Sequence, residues 1–173
     1  MVDEICSRAV FLDRDGVLNK NLGIGRYVVS WDQWEWIAGS RKAIQLLKQA
    51  GYLVIIITNQ SGISQGLMTQ QDLVRIHNRM VQDVVASNGS IDRIYYCPHA
   101  RSGGCNCRKP KPGMFFKAKE DFNLCLPETV FFGDTDQDRA AALEVGCQWS
   151  MVTPENPLVN AVQDFLYKRY ENG

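Results

Sequence analysis

The chain has 173 residues, of which 45% are hydrophobic and 22% are charged. This composition is that of an ordinary globular protein and excludes a disordered chain, and the length predicts a single domain over residues 1–173. The 19 basic and 19 acidic residues cancel to a net charge of zero, which disfavours a nucleic-acid-binding protein.

Short apolar runs alternate with longer helical patterns along the chain. In chain order we predict a strand at 8–13, a helix at 40–50, a strand at 53–58, a helix at 69–87, a strand at 91–97, a helix at 113–123, a strand at 129–133, a helix at 137–145, a strand at 147–152 and a last helix from about 157. This alternation predicts an α/β fold with three layers, a Rossmann-like parallel sheet between two layers of helices.

Residue types at two helix starts indicate where those helices begin. Ser40 is the predicted N-cap of the first helix, and Gly51 lies just past its end. Thr69 and Asp72 resemble a capping pair at the start of the second helix.

Polar side chains follow the predicted strands at their carboxyl ends, where ligands bind in parallel sheets. The first strand ends in Asp13 and Asp15, the second in Thr58, and Lys109 and Asp134 follow the third and fourth. An ionised Asp13 can serve as a nucleophile, and Asp15 would hold a proton part of the time. Crowded carboxylates also suit Mg²⁺, while Thr58 and Lys109 can bind a phosphoryl group.

These segments, DRDG, TNQSG, a lysine and GDTDQD in that order, resemble the four motifs of the haloacid dehalogenase superfamily of phosphotransferases. The alternative is that the acids are turn and cap residues, which Asp and Asn favour. That alternative must explain an ordered set of motifs, and we therefore favour the resemblance.

The resemblance implies roles for the matching residues. Asp13 would form an aspartyl-phosphate, and Asp15 would protonate the leaving oxygen and then activate water. Asp134 would complete the Mg²⁺ shell with Asp13 and the main-chain carbonyl of Asp15, and Asp138 would support that shell or hold Lys109. The motifs leave no insert long enough for a cap domain, so we expect a capless fold.

A second cluster of reactive residues lies in the segment CPHARSGGCNC, which contains Cys97, His99, Cys105 and Cys107. Three thiols and one imidazole make a closed tetrahedral set, which predicts a structural Zn²⁺. The alternative is a set of buried or redox-active thiols. Cys6, Cys125 and Cys147 lack such neighbours, and we expect them to lie in the core or on a neutral surface. We expect no disulfides, because cytoplasmic thiols stay reduced.

The cysteine segment and the neighbouring YY and RKPKPGM resemble the zinc-containing branch of the superfamily, which includes heptose bisphosphate and histidinol phosphate phosphatases. The resemblance implies a small phosphorylated sugar as substrate and assigns substrate contacts to Asn21, Asn59, Gln60, Ser61 and Arg108. Three features depart from the branch: about three extra residues precede Tyr27, the cysteine segment is short, and Thr135 replaces a lysine.

Three other activities remain open at this point: a histidinol-phosphate phosphatase, a DNA 3′-phosphatase and a non-catalytic phosphosugar-binding module. We expect a cytoplasmic monomer without membrane or nucleic-acid partners, because the longest apolar run is only residues 53–57 and no signal peptide is visible. The tryptophans of WDQWEW are predicted to pack together. His77 is predicted to lie at a surface or helix edge.

Overall fold

The computed structural model describes residues 6–23 and 25–171. Its strands are β1 (Ala9–Leu12), β2 (Leu53–Asn59), β3 (Arg93–Cys97), β4 (Val130–Gly133) and β5 (Gln148–Met151). Its helices are α1 (Ser40–Gln49), α2 (Gln70–Ala86), α3 (Gly113–Phe122), α4 (Asp136–Glu144) and α5 (Leu158–Glu171), with 3₁₀ turns at Trp31–Gln33 and Leu126–Glu128. The predicted alternation of strands and helices is therefore confirmed.

The five strands form one parallel sheet in the order β3-β2-β1-β4-β5. From β1 the chain builds the sheet outward through β2 and β3, and then returns to the other side of β1 for β4 and β5. This reversal opens a crevice at the carboxyl ends of β1 and β4, which is where ligands bind in such sheets.

Two apolar clusters cover the two faces of the sheet. Alternate side chains of a strand point to opposite faces: Leu12 and Ile56 belong to one cluster, whereas Phe11 and Ile55 belong to the other. The first cluster includes buried residues of α1, α2 and α5, and the second those of α3 and α4. The predicted three-layer arrangement is confirmed by this division.

The first helix begins differently from the prediction. Its N-cap is Gly39, with φ of 81°, and not Ser40. The Ser40 side chain is buried, and its hydroxyl contacts the carbonyl oxygens of Leu18 at 3.1 Å and Ile37 at 2.8 Å. The glycine adopts a left-handed conformation that other residues avoid. The capping box of Thr69 and Asp72 at α2 is confirmed.

The connection between β1 and α1 packs onto the core without forming a further domain. The rings of Trp31 and Trp34 stack with centroids 5.1 Å apart, and Trp36 meets Trp34 edge-on at 5.0 Å. All three pack against the first apolar cluster, as predicted. Over the described residues, the connections that follow β1 and β2 contain one 3₁₀ turn and no inserted helix or strand, which agrees with a capless fold.

Cys6 and Cys125 form a disulfide across 119 residues of sequence, so the expectation that both are unpaired is wrong. Their neighbours Ser7 and Leu124 form a parallel bridge, which brings the two cysteines together before β1 and β4 begin. Cys147 is buried and free, as predicted for a core residue. In the part of the chain that the structure describes, no helix has the length and apolarity needed to span a membrane.

Candidate active site

A cavity of about 400 Å³ lies at the carboxyl ends of the central strands. Side chains from four separate segments line it: Asp13 and Asp15 follow β1, Thr58 ends β2, Lys109 follows the cysteine segment, and Asp134 follows β4. The structure therefore brings together the residues that the motifs predicted, because parallel strands end at one edge of the sheet.

Lys109 lies at the centre of this site with its ammonium group buried. Its Nζ is 2.8 Å from Oδ1 of Asp13 and 2.7 Å from Oδ1 of Asp138, and it donates to the carbonyl of Ile57 at 2.9 Å. Burial by itself lowers the pKa of Lys109, but the two carboxylates outweigh burial and raise it. The ammonium therefore stays charged beside Asp13.

Asp13 and Asp134 carry more negative charge than the neighbouring cation balances. Burial raises the pKa of Asp13 to about 8 against the opposing effect of Lys109, and Asp138 raises it further. Burial also raises the pKa of Asp134 to about 6, with a contribution from Asp138. Both carboxyls thus ionise less readily than an exposed aspartate, and a further positive charge beside them would favour their ionised forms.

The acidic cluster fits a divalent cation. Oxygens of Asp13, Asp134 and Asp138 lie within 4.8 Å of one another, and the buried Oδ1 of Asp134 has no hydrogen-bond partner. Both oxygens of Asp138 are already engaged, one by Lys109 and the other by Thr135. Asp13 and Asp134 are therefore the side chains free to hold a hard cation such as Mg²⁺.

Asp15 accepts hydrogen bonds on both carboxylate oxygens. Arg14 donates to both at 2.9 Å, Asn19 donates to Oδ1 at 2.9 Å, and Gln60 donates to Oδ2 at 2.7 Å. Burial would raise the pKa of Asp15, but the charge and hydrogen bonds of Arg14 outweigh it and lower the pKa.

The pKa values of Asp13 and Asp15 are thus shifted in the opposite order to the one expected. The prediction that Asp15 is the carboxyl that holds a proton took no account of the guanidinium of Arg14, which stabilises its ionised form. A divalent cation on Asp13 and Asp134 would favour their ionised forms and so reverse the shifts at those two residues.

Two residues predicted to contact substrate do not line the cavity. Gln60 is fully buried, and its Nε2 donates to Asp15 and to Oγ1 of Thr58 at 2.9 Å. Ser61 is also buried, with its hydroxyl 2.9 Å from that of Tyr27. These side chains support the wall of the cavity from behind.

The other three residues predicted to contact substrate do line the cavity. Asn59 also holds the main chain of Lys109: its Oδ1 accepts from the Lys109 N–H at 3.0 Å, and its Nδ2 donates to the Lys109 carbonyl at 3.2 Å. Arg108 donates to the carbonyl of His99 at 3.2 Å, and the Oδ1 of Asn21 accepts from Gly23 at 3.0 Å.

The cysteine segment forms a compact cluster beside the cavity. Sγ of Cys107 is 3.2 Å from Sγ of Cys97 and from Nδ1 of His99, and Sγ of Cys105 is 3.6 Å from Sγ of Cys97. Sulfurs around a tetrahedral Zn²⁺ with Zn–S bonds of ~2.3 Å lie about 3.8 Å apart. The four predicted ligand atoms, all within 4.8 Å of one another, could therefore hold zinc.

Sequence analysis missed the buried residues behind Asp15. Arg14 has no solvent exposure, and its NH1 is 3.2 Å from Nε2 of His77. The prediction that His77 lies at the surface is wrong, because it is only 6% exposed. Its position four residues after Leu73 and three before Met80 places it on the buried stripe of α2, which is the signal that could have identified it.

Comparisons with known proteins find phosphatases that are similar to this chain. A family model described as polynucleotide kinase 3 phosphatase matches residues 9–155. The D-glycero-beta-D-manno-heptose-1,7-bisphosphate 7-phosphatase of Neisseria meningitidis is 41% identical over 145 residues, 84% of this chain and 76% of that protein. The corresponding alpha enzyme of Campylobacter jejuni is 38% identical over 137 residues, 79% of this chain and 77% of that protein.

A solved structure is also similar over nearly the whole chain. The D,D-heptose 1,7-bisphosphate phosphatase of B. bronchiseptica, in complex with magnesium and phosphate, has a TM-score of 0.86 and 32% identity, covering 93% of this chain and 99% of that one. With 38–41% identity to the two curated relatives as well, the chain belongs to the heptose 1,7-bisphosphate 7-phosphatase family of haloacid dehalogenase-type phosphatases.

Proposed function

We propose that this chain hydrolyses the 7-phosphate of D-glycero-D-manno-heptose 1,7-bisphosphate. The observation that carries the proposal is the buried contact of 2.8 Å between Lys109 and Asp13, beside the unpartnered oxygen of Asp134. This arrangement presents a carboxylate nucleophile, a cation for the phosphoryl oxygens and a metal ligand in one cavity. We take the identity of the sugar from the names of the similar proteins, which are heptose 1,7-bisphosphate phosphatases.

The reaction proceeds in two steps at Asp13. In the first, a carboxylate oxygen of Asp13 attacks phosphorus and the bond from phosphorus to the C7 oxygen breaks, while Asp15 reacts through its minor protonated form, which Arg14 disfavours, and gives its proton to that oxygen. In the second, Asp15 takes a proton from water, the water oxygen attacks the phosphorus of the aspartyl-phosphate, and the bond from phosphorus to the Asp13 oxygen breaks, which releases inorganic phosphate and restores the Asp13 carboxylate. Lys109 and the hydroxyl of Thr58 hold the phosphoryl oxygens in both steps.

Asp13, Asp134 and the main-chain carbonyl of Asp15 would hold Mg²⁺. When bound, this ion neutralises the repulsion between the anionic nucleophile and the anionic phosphate ester. Asp138 keeps Lys109 next to Asp13 without occupying the metal position, because Thr135 holds its second oxygen. A Zn²⁺ held by Cys97, His99, Cys105 and Cys107 would have no open position for water and would therefore be structural.

The open cavity suits a substrate with two phosphates. Its volume of about 400 Å³ is that of a small-molecule site. Three guanidinium groups, those of Arg26, Arg101 and Arg108, line it in addition to Lys109. They attract a doubly phosphorylated sugar and can bind the phosphate that is not cleaved. One chain supplies all these residues, and we therefore expect a monomer to be active.

The test is phosphate release in the presence of Mg²⁺ from a matched substrate panel. The panel contains both anomers of the heptose bisphosphate, histidinol phosphate, fructose 1,6-bisphosphate and a 3′-phosphorylated oligonucleotide. We expect kcat/KM for one heptose anomer to exceed the others by about 10²-fold, equivalent to about 2.7 kcal/mol of transition-state discrimination. Preference for the oligonucleotide, or equal rates throughout, would overturn the assignment to a heptose.

Asp13→Asn provides the blank for this assay. The amide cannot act as the nucleophile, so phosphate release should fall to background while the protein stays folded. Asp164→Asn, an exposed position on α5, is the matched control and should retain the wild-type rate. Wild-type turnover by Asp13→Asn would contradict the aspartyl-phosphate mechanism.

A further inference from the structure

Arg14 is a completely buried cation that makes no contact with the cavity. Its NH2 donates to both oxygens of Asp15 at 2.9 Å, and its NH1 contacts Nε2 of His77 at 3.2 Å. Its guanidinium carbon lies 5.7 Å from the centre of the Trp34 ring. The group is thus held by a carboxylate, an imidazole and an indole from three different segments.

The chemistry of arginine settles the direction of the contact with His77. A guanidinium has five N–H donors and no acceptor, so Nε2 of His77 must be the acceptor and must carry no proton. Burial and the charge of Arg14 also lower the pKa of His77 to about 3, which keeps the imidazole neutral. His77 therefore acts as a neutral acceptor on α2 that fixes the orientation of a guanidinium 63 residues earlier in the chain.

We propose that His77 and Arg14 are positioning residues for proton transfer by Asp15. His77 fixes the plane of the Arg14 guanidinium, and Arg14 in turn fixes the carboxylate of Asp15 toward the cavity. This inference rests on the proposed function, in which Asp15 protonates the leaving oxygen. Neither residue lines the cavity, so neither touches the substrate.

The geometry explains why the pair is needed. Asp15 follows β1 in a turn, and only 26% of its side chain is exposed. Asn19 and Gln60 each contact one of its oxygens, whereas Arg14 contacts both and so determines the plane of the carboxylate. Proton transfer requires this group within hydrogen-bond reach of the leaving oxygen, and a small rotation of the carboxylate slows it.

The test compares two esters whose leaving groups differ. A sugar alkoxide must be protonated as it leaves, whereas p-nitrophenolate leaves without a proton. His77→Phe keeps a ring at this position and removes the acceptor. We expect kcat/KM for the heptose bisphosphate to fall about 10- to 100-fold and that for p-nitrophenyl phosphate to change less than about 3-fold, since misplacing a general acid affects only the protonated leaving group.

Three further variants separate positioning from folding. His77→Gln retains an acceptor for Arg14 and should restore most of the rate with the sugar ester. Arg14→Lys retains the charge but loses the planar group that joins Asp15, through NH2, to His77, through NH1, and it should show the same selective loss as His77→Phe. Met80→Leu, a buried change on α2 outside this network, should slow neither ester.

The outcomes distinguish this inference from the proposed function. If His77→Phe slows both esters equally, or slows neither, the positioning role is wrong even though the phosphatase assignment stands. If Arg14→Lys and His77→Phe differ in which ester they slow, the pair does not act through Asp15. If the wild-type protein releases no phosphate from any ester in the panel, the proposed function fails instead.

Discussion

Asp13, Asp15 and Asp134 share one cavity, but each carboxylate has a different electrostatic environment. Asp13 contacts the ammonium of Lys109, Asp15 contacts the guanidinium of Arg14, and Asp134 has an oxygen without any partner. The pKa of Asp15 is lowered, while those of Asp13 and Asp134 are raised. The two raised groups are the ones positioned to bind a metal ion.

This difference predicts how Mg²⁺ stabilises the protein at different pH. The pKa of Asp134 is raised to about 6, so its contribution to stability in the absence of a metal is present at low pH and is lost as pH rises through about 6. Mg²⁺ competes with the proton for this carboxylate. The increase in Tm caused by Mg²⁺ should therefore be larger near pH 7.5 than near pH 5.

Thermal unfolding with and without Mg²⁺ at the two pH values checks this prediction. Asp134→Asn removes the charged ligand and should abolish most of the Mg²⁺-dependent increase in Tm. An increase that is independent of pH in the wild-type protein would show that protons and the metal do not compete at this carboxylate.

At the scale of elements, α2 and α4 begin with the same capping box but differ in what the cap supports. Thr69 and Asp72 cap α2 at the surface, whereas Thr135 and Asp138 cap α4 beside the cavity. Asp138 uses its other oxygen to contact Lys109 at 2.7 Å. The cap of α4 therefore also positions Lys109, for which we propose a role in binding the phosphoryl group.

Thr135→Ala and Thr69→Ala form a matched pair that tests this difference. Each variant loses an N-cap, which costs about 1 kcal/mol of stability, and chemical denaturation should show similar losses. Only Thr135→Ala should lower kcat, because only there does the cap hold the partner of Lys109. Equal kcat values for the two variants would mean that Asp138 needs no support from Thr135.

The cysteine segment is the element that leads directly into Lys109. If Cys97, His99, Cys105 and Cys107 hold zinc, protein purified without added metal should contain about one equivalent per chain. Cys107→Ser should lose the zinc and lower Tm, since the four ligands replace an apolar core in this segment. Cys147→Ser, at the buried cysteine outside the cluster, should keep the zinc. Elemental analysis measures the zinc content of both variants. A wild-type protein that contains no zinc would refute the zinc site.

Across the whole molecule, the cavity and the disulfide lie at opposite ends of the sheet. The carboxyl ends of the strands form the cavity, while the disulfide of Cys6 and Cys125 lies before the amino ends of β1 and β4. We therefore expect that a change at the disulfide alters the stability of the protein without altering catalysis in the cavity.

The double variant Cys6→Ala/Cys125→Ala tests this separation. Removing a bond that closes a loop of more than a hundred residues should lower the free energy of unfolding by about 2–4 kcal/mol. The kcat should stay within about twofold of wild type, because distant sites act independently. Denaturant titration and phosphate release measure the two effects, and a large loss of kcat would show that the two ends of the sheet are coupled.

Much of the fold was predictable because its signals are local. The β-branched run of β2 and the alternation of strands with amphipathic helices are typical of a parallel sheet. The order of the motifs alone predicted that Asp13, Thr58, Lys109 and Asp134 lie at one edge of the sheet. The start of α1 was less predictable, because Gly39 adopts a left-handed conformation and a Cβ atom there would lie 2.6 Å from Cγ1 of Val159, a neighbour that only the fold supplies.

The sequence by itself indicated the candidate nucleophile, the candidate metal-binding carboxylates and the cysteine cluster, because each of these residues lies within a short local motif. Only the tertiary structure decided the pairing of Cys6 with Cys125, the burial of Gln60 and Ser61 behind the cavity, and the contact of His77 with Arg14. The two disulfide cysteines, like His77 and Arg14, lie far apart in sequence, and the burial of Gln60 and Ser61 depends on packing between elements. Their contacts exist only once the sheet has brought distant segments together, since no local pattern specifies which buried side chains will meet.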